Sequence, residues 1–405
     1  MQQRSLTVPD TANALLQNRI NISIIFNYLR DHTDSHRARI ARDLGISAPA
    51  VSRAVDKLLK DEYVIESEKV KLASGKRAAQ IKVNAERGFI VGVDLLSDPI
   101  RLAISDFMGV VHDSWVATPG CDTATFPEHL VATIDSCLQA FRNKSERPNL
   151  RILAIGIGVP AIVDPRTGAI LNASLYERIS DSNIHDRISE HFGIPVFIEN
   201  TANLAAIGEW KRGVGRNAGN LVFLEISNGI GAGIILDGDL HRGAQGAAGE
   251  IGYFITDVAG LGYNSSKIGY LESRASLEAF QLFCRSAAGA PAGLPASVSS
   301  LFQAAATGTE DALRVIQEAV KHLAVAVVDT ILLLNPEMVI LGGEVCELPE
   351  AYTLLLKPLI DEVRSNYHFT PTDIRLASLG ANASLIGAVQ FALDSLIVHT
   401  YPYRL

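Results

Sequence analysis

The stretch from His36 to Lys60, HRARIARDLGISAPAVSRAVDKLLK, constrains this chain more than any other. Ile40, Ala41 and Leu44 recur at helical spacing and form a short apolar face. Gly45 stands where a tight turn between helices needs a backbone conformation that other residues resist, and Ile46 then drops into the core. Ser47 is placed to cap a second helix by accepting backbone N–H bonds, and Pro49 is tolerated in the first turn that follows. Val51, Val55, Leu58 and Leu59 carry the apolar stripe on to Lys60, so the second helix packs on the first. Its opposite face holds Ser52, Arg53 and Lys57, with Ala48 and Pro49 at the tip. A helix presented this way lies in a DNA major groove and touches base edges with its N-terminal residues.

Spacing alone also allows a helical hairpin inside an ordinary core, so the flanks matter. Val64-Ile65, a charged stretch to Leu72, the run Ala73-Ser74-Gly75-Lys76-Arg77 and the alternating Gln80-Ile81-Lys82-Val83 read as a two-stranded wing with a basic tip. From His36 to Arg87 there are twelve Lys/Arg and seven Asp/Glu, while residues 1–35 balance. The net charge of −8 therefore leaves about −13 for everything after Arg87. A basic head on an acidic body fits a reader of double-stranded DNA whose body avoids phosphate. Arg37, Lys57, Lys76 and Arg77 are the candidates for phosphate or groove contacts, and Ala48, Pro49, Ser52 and Arg53 for the base edges.

A length of 405 residues allows two or three domains. Cys121, Cys137, Cys284 and Cys346 are scattered, without metal-ligand spacing or a disulfide framework, which suits a reducing cytoplasm. The polar start MQQRSLTVPD lacks the apolar core of a signal peptide, and no uninterrupted apolar run is long enough to span a bilayer. A cytoplasmic protein without a membrane partner is expected.

Before the reader, residues 1–10 look like a loose arm, and apolar positions from Leu15 to Leu29 predict a long first helix over Thr11 to Arg30. Composition changes near Arg87, which predicts a DNA-binding domain over 1–87 and a second domain over 88–405. Strand patterns at 88–94, 100–106, 152–159, 170–171 and 196–199 alternate with helices at 126–142, 184–191 and 202–211. A second series has strands at 221–227, 233–236 and 338–341, with helices at 273–287, 310–334 and 383–396. The Ala/Gly/Pro-rich segment Ala287–Pro295 reads as a surface loop. Two such series with Gly-rich turns predict an α/β body of two lobes with a cleft between them.

Several motifs in the body resemble those of the ROK family, which groups bacterial sugar kinases with sugar-responsive repressors. They are Gly156-Ile157-Gly158-Val159-Pro160, Val163-Asp164-Pro165, Glu199-Asn200-Thr201-Ala202-Asn203, and Asn228 to Ile235 with Gly246 to Gly252. Ile340-Leu341-Gly342-Gly343 and the ending Gly380 to Gly387 match as well. The resemblance runs from about Asn13 to the C-terminus, because ROK repressors carry a winged helix-turn-helix in front. It implies an actin-like ATPase fold for residues 88–405.

The chain departs from the family's kinases at three places. The phosphate hairpin Asp-x-Gly-x-Thr is replaced by Asp94-Leu95-Leu96-Ser97-Asp98, so Leu96 stands for the Gly that admits a phosphate and Asp98 adds an anion. The second phosphate turn becomes Gly229-Ile230-Gly231, a hydrocarbon in place of a hydroxyl. The general base after Glu-Asn becomes Thr201, whose hydroxyl does not take a proton near neutral pH. These losses argue against phosphoryl transfer; an ATP-dependent sugar kinase with an appended DNA reader is the rival reading. The family's zinc ligands are replaced too, by Tyr253 and by Asn264 to Tyr270, so neither a metal nor a cofactor is expected.

A sugar pocket remains as the implied function of the cleft, since planar amides and carboxylates bind adjacent hydroxyls in pairs. By resemblance its candidates are Asn172, Asn200, Glu250 and Glu272, with Thr201 and Tyr253 as altered neighbours. Glu199 reads instead as a local cap or ion pair, and His185, His191, His241, His322 and His368 as surface residues. The expected whole is a repressor of carbohydrate genes, a homodimer or homotetramer on a palindromic operator, released or engaged by a sugar.

Overall fold

The computed structural model describes residues 10–33, 35–71, 77–96, 99–118, 125–145, 150–172, 179, 183–264, 268–287, 297–366 and 372–402. The arm at 1–9, the wing tip with Lys76, Asp98, His368 and most of the Ala287–Pro295 segment lie outside them. The reader consists of α1 (Asp10–Asp31), α2 (Arg37–Leu44) and α3 (Ala48–Lys60), followed by the antiparallel wing β1 (Val64–Lys71) and β2 (Arg77–Val83). Gly45 ends α2 with φ 65°, the left-handed turn expected of it. Ser47 occupies the N-cap of α3 but makes no side-chain capping bond; its carbonyl alone receives the N–H groups of Ala50 and Val51.

The first lobe is a five-stranded sheet. β3 (Phe89–Asp94), β4 (Ile100–Asp106), β5 (Val111–Ala117), β6 (Ile152–Val159) and β9 (Val196–Asn200) take the order β5-β4-β3-β6-β9. Helices α4 (Phe126–Ser145) and α5 (Ile184–Phe192) cover one face, and the small hairpin of β7 (Ile162–Val163) and β8 (Ile170–Asn172) extends from β6. After α6 (Thr201–Arg212) comes the second sheet, from β10 (Leu221–Ile226), β11 (Ile230–Leu236), β12 (Asp239–Leu240), β13 (Met338–Gly342) and β14 (Asp373–Leu376), ordered β12-β11-β10-β13-β14. Its outer face is covered by α7 (Glu272–Ala275), α8 (Leu277–Ala287), α9 (Val298–Ala306), α10 (Glu310–Leu334) and α11 (Lys357–Asn366). The last helix, α12 (Ala383–Thr400), lies on the first sheet as α6 lies on the second, and the two helices pack on each other.

Apolar periodicity located most of these elements and missed others for physical reasons. β5 is an edge strand whose side chains are half-buried or exposed, so its sequence VHDSWVA shows no continuous apolar run. The helix expected over 273–287 is broken at Ser276, which turns extended so that Leu277 N–H can bond the Ser227 carbonyl at 2.8 Å. Gly380–Thr400 is apolar and long enough to cross a membrane, but it carries Gln390 and Asp394 and is mostly buried as the core helix of the body.

Reader and body share one core. Phe26 of α1 and Tyr63 before the wing each lie 5.4 Å, ring to ring, from Phe107 of the first lobe, and Arg87 stacks over Tyr63 at 4.1 Å. Ile22, Ile81, Ile90, Leu153, Val389 and Leu396 close around them. Full burial of each such side chain is worth about 1.5–3 kcal/mol. The reader is therefore fixed to the body by packing as well as by the chain that joins them.

Candidate functional site

The buried side of α3, with Ala50, Val51, Ala54, Val55 and Leu58, holds the helix on α1 and α2. That placement turns Ala48, Pro49 and Arg53 outward, with Ser52 half-buried beside them. Arg53 has no hydrogen bond or ion pair among the described residues, so its guanidinium is available to a base edge. Arg77 opens β2 on the exposed side of the wing. Two other candidates are engaged elsewhere. Arg37 bridges Asp56 at 2.7 Å and Glu66 at 3.2 Å, tying α2 to α3 and the wing. Lys57 pairs with Asp61 at 2.9 Å and lies 5.8 Å over the Tyr401 ring, toward the body. These pairs tie Arg37 and Lys57 to neighbouring elements, while their side chains stay 33% and 46% exposed. Arg42, with 74% of its side chain exposed, is a cation near the reader's surface that the spacing argument passed over.

In the cleft, Asn200 caps α6. Its Oδ1 accepts from Ala202 N–H (2.8 Å) and Asn203 N–H (3.2 Å), and its Nδ2 donates to the Ala161 carbonyl at 3.0 Å. Glu199 beneath it accepts from Asn200 N–H and Asn203 Nδ2, both at 2.9 Å, and pairs with Arg242 at 2.6 Å. Glu199 is thus the local anchor that the sequence suggested. Thr201 is buried and its hydroxyl donates to Glu225 at 3.4 Å.

The second-lobe candidates converge. Glu272 accepts Ile230 N–H through one oxygen (2.9 Å) and Gly269 N–H through the other (2.8 Å), which fixes the β10–β11 hairpin to the 268–272 segment. Burial, and then the Glu272 charge, push the Glu250 carboxyl above its ordinary range. Tyr253, at 46% exposure, is raised by burial and by both carboxylates. The loop that carries Tyr253 is fastened by side-chain bonds: Thr256 bonds His322 at 2.7 Å and Tyr270 donates to Asp257 at 2.6 Å. His322 is accordingly a half-buried fastening residue and not the surface residue expected. The Asn200 and Glu250 groups flank the same stretch of β11, because Ala202 packs on Gly231 while Gly249 accepts Ala232 N–H at 2.8 Å. Asn172 ends β8, opposite Ile162.

At the ends of β3 and β10 the lobes enclose a cavity of about 30 Å³, the room of a single water. Asp94, Glu225, Glu344 and Glu347 line it, with Arg101 as the cation among its lining residues. Burial pushes Asp94 up to about 6, against the pull of Leu96 N–H and Arg101. Burial and the neighbouring Asp94 push Glu225 up to about 8. One expectation is corrected here: the β10–β11 turn is Ser227 to Gly229, closed by Ser227 N–H to the Gly229 carbonyl at 3.0 Å. Ile230 is the first residue of β11 and is buried, so the residue at the tip is Asn228. Glu225 was legible as a charge inside the apolar strand LVFLEI, but its partner across the cleft was not.

This geometry defines a class first: a winged helix-turn-helix mounted on a two-lobed, actin-like α/β body with a cleft between the lobes. The profile of the ROK family matches residues 90–395, and the chain belongs to that family. It is 28% identical over 403 residues to the xylose repressor of Caldicellulosiruptor bescii, covering 95% of this chain and 98% of that protein. It is 32% identical over 221 residues to the glucokinase of Thermotoga maritima, covering 52% of this chain and 68% of the kinase. Among solved structures, a ROK family transcriptional regulator, a homologue of the E. coli MLC protein, superposes with TM-score 0.78 at 22% identity. That superposition covers 95% of this chain and 99% of the other.

Proposed function

We propose that the chain is a cytoplasmic, sequence-specific transcriptional repressor of carbohydrate-metabolism genes, controlled by a sugar bound in the cleft of a body that has lost phosphoryl transfer. The observation that carries this reading is the union, in one packed core, of an exposed α3 face with a cleft whose base position is a buried threonine. Ala48, Pro49, Ser52, Arg53 and Arg77 form the DNA face, with Lys76 at the wing tip. Glu250 and Tyr253, with Asn172, meet the sugar, while Asn200 and Glu272 shape the pocket through their backbone partners and Thr201 through Glu225. The relative from Caldicellulosiruptor bescii is named a xylose repressor, so D-xylose is the first effector to try. A homodimer or homotetramer would pair two readers on a palindromic operator.

The test is a pull-down of genomic DNA fragments by the purified protein, repeated with D-xylose and other sugars. A discrete palindrome whose occupancy changes with one sugar supports the reading. Salt-sensitive binding without a preferred site refutes it. The rival, a sugar kinase with a DNA reader, draws support from the glucokinase relatives. It requires ATP turnover with a hexose or pentose, and the threonine at the base position argues against that.

A further inference from the structure

Two helices join the cleft to the reader. α6 starts at Thr201, against Glu225, and ends at Arg212, which donates to the Met108 carbonyl at 2.7 Å and lies close enough to Arg30 of α1 to feel its charge. α12 starts with Ala383 and Ser384 in the wall of the carboxylate cavity. Its far half meets the reader at several points. Arg30 donates to Gln390 and Asp394, Tyr63 shares a hydrogen bond with Thr400 at 3.0 Å, and just beyond the helix Tyr401 donates to Asp61.

The two helices touch backbone to backbone. A Cβ at Gly387 would overlap the Leu204 carbonyl, and one at Gly208 the Ala383 carbonyl. Such close packing resists sliding, so the pair moves as one body. An 18-residue helix is about 27 Å long at ~1.5 Å per residue, so tilting it by ~4° at the cleft shifts its far end by ~2 Å.

Arg30 is suited to follow that movement. Its side chain is 7% exposed, its Nε has no partner among the described residues, and the like-charged Arg212 is near. Gln390 and Asp394 of α12 are therefore what keeps a buried cation in place. A groove of about 920 Å³ lies alongside, lined by Ser23 and Asn27 of α1, by Asp394, Ser395 and Val398 of α12 and by segments of the first lobe. We propose that α6 and α12 form one rigid lever that carries the effector state of the cleft to the DNA reader, with Arg30 as the latch that makes α1 follow it. This rests on the regulator reading above and adds the route of its regulation.

The experiment measures affinity for the operator fragment recovered by pull-down, with and without saturating D-xylose, and repeats the pair with D-glucose. It compares the full-length wild type with Arg30→Met, which keeps the aliphatic stem and removes both bonds to α12. Ordinary allosteric coupling changes affinity by about 5- to 150-fold. The expected result is a wild-type ratio in that range that falls below about 2-fold in Arg30→Met, while operator and sugar each still bind the variant. A variant that keeps the full ratio overturns the lever and leaves the regulator standing. A wild type with no ratio for either sugar overturns both. If Arg30→Met fails to fold by circular dichroism, Asp394→Ala, which removes the acceptor at the partly exposed end of the latch, is read by the same criteria.

Discussion

Replacing Glu225 by Gln removes the most perturbed carboxyl of the cleft while keeping its shape and an oxygen that can accept from Thr201. In the folded protein burial and Asp94 hold Glu225 up at about 8, well above its ordinary 4.5. The folded state therefore binds this proton more tightly than the unfolded chain does. Below pH 4.5 both states are protonated and nothing is lost. As pH rises from 4.5 to 8 the unfolded chain releases the proton first, and stability falls through that window. At about 1.4 kcal/mol per unit the loss has a ceiling of ~5 kcal/mol, reduced in practice by relaxation and by coupling to Asp94. The assay is thermal or urea unfolding of wild type and Glu225→Gln between pH 5.5 and 8.5. Wild-type stability should fall with pH more steeply than the variant's, and Glu225→Gln should be the more stable protein at pH 8.5. Parallel curves would refute the reasoning, because they would mean that Glu225 titrates alike in both states.

Arg53→Ala should weaken operator binding by about 1–3 kcal/mol and relax preference at one base position, read by competition among operator variants. Equal weakening on all sequences would make Arg53 a phosphate contact only. Lys57→Ala should leave operator affinity and its salt dependence unchanged and cost no more than ~1 kcal/mol in denaturant unfolding, because Lys57 is spent on Asp61 and Tyr401. Glu272→Ala leaves Ile230 and Gly269 N–H without their acceptor. At about 1–3 kcal/mol for each unmet donor it should lower stability and abolish sugar binding in calorimetry.

The elements and the site were legible in the sequence to different depths. Long apolar periods fixed α10 and β6 to the residue, because a buried face repeats its signal over many turns or along a whole strand. The helix-turn-helix was readable from Gly45 and the stripe Val51 to Leu58, since turn chemistry and periodicity agree there. Side-chain partners were not readable. Arg37 and Lys57 have the composition of DNA contacts, yet Asp56, Glu66, Asp61 and Tyr401 reach them only through the fold. Asn200 likewise looked like a ligand amide and serves as a helix cap. Glu225 and Asp94 are far apart in sequence and become neighbours only when the lobes meet, so their raised affinity for protons has no local signature.

This ROK-family chain, on the function proposed above, reads DNA under the control of a sugar and no longer transfers phosphate. The most direct measurement is operator binding by the purified, full-length protein as D-xylose and then other sugars are added, with ATP turnover followed in parallel. The account expects binding to one palindromic fragment, a change in that affinity with one sugar, and no ATP hydrolysis or sugar phosphate. Sugar-dependent ATP turnover without any preferred DNA site would contradict it.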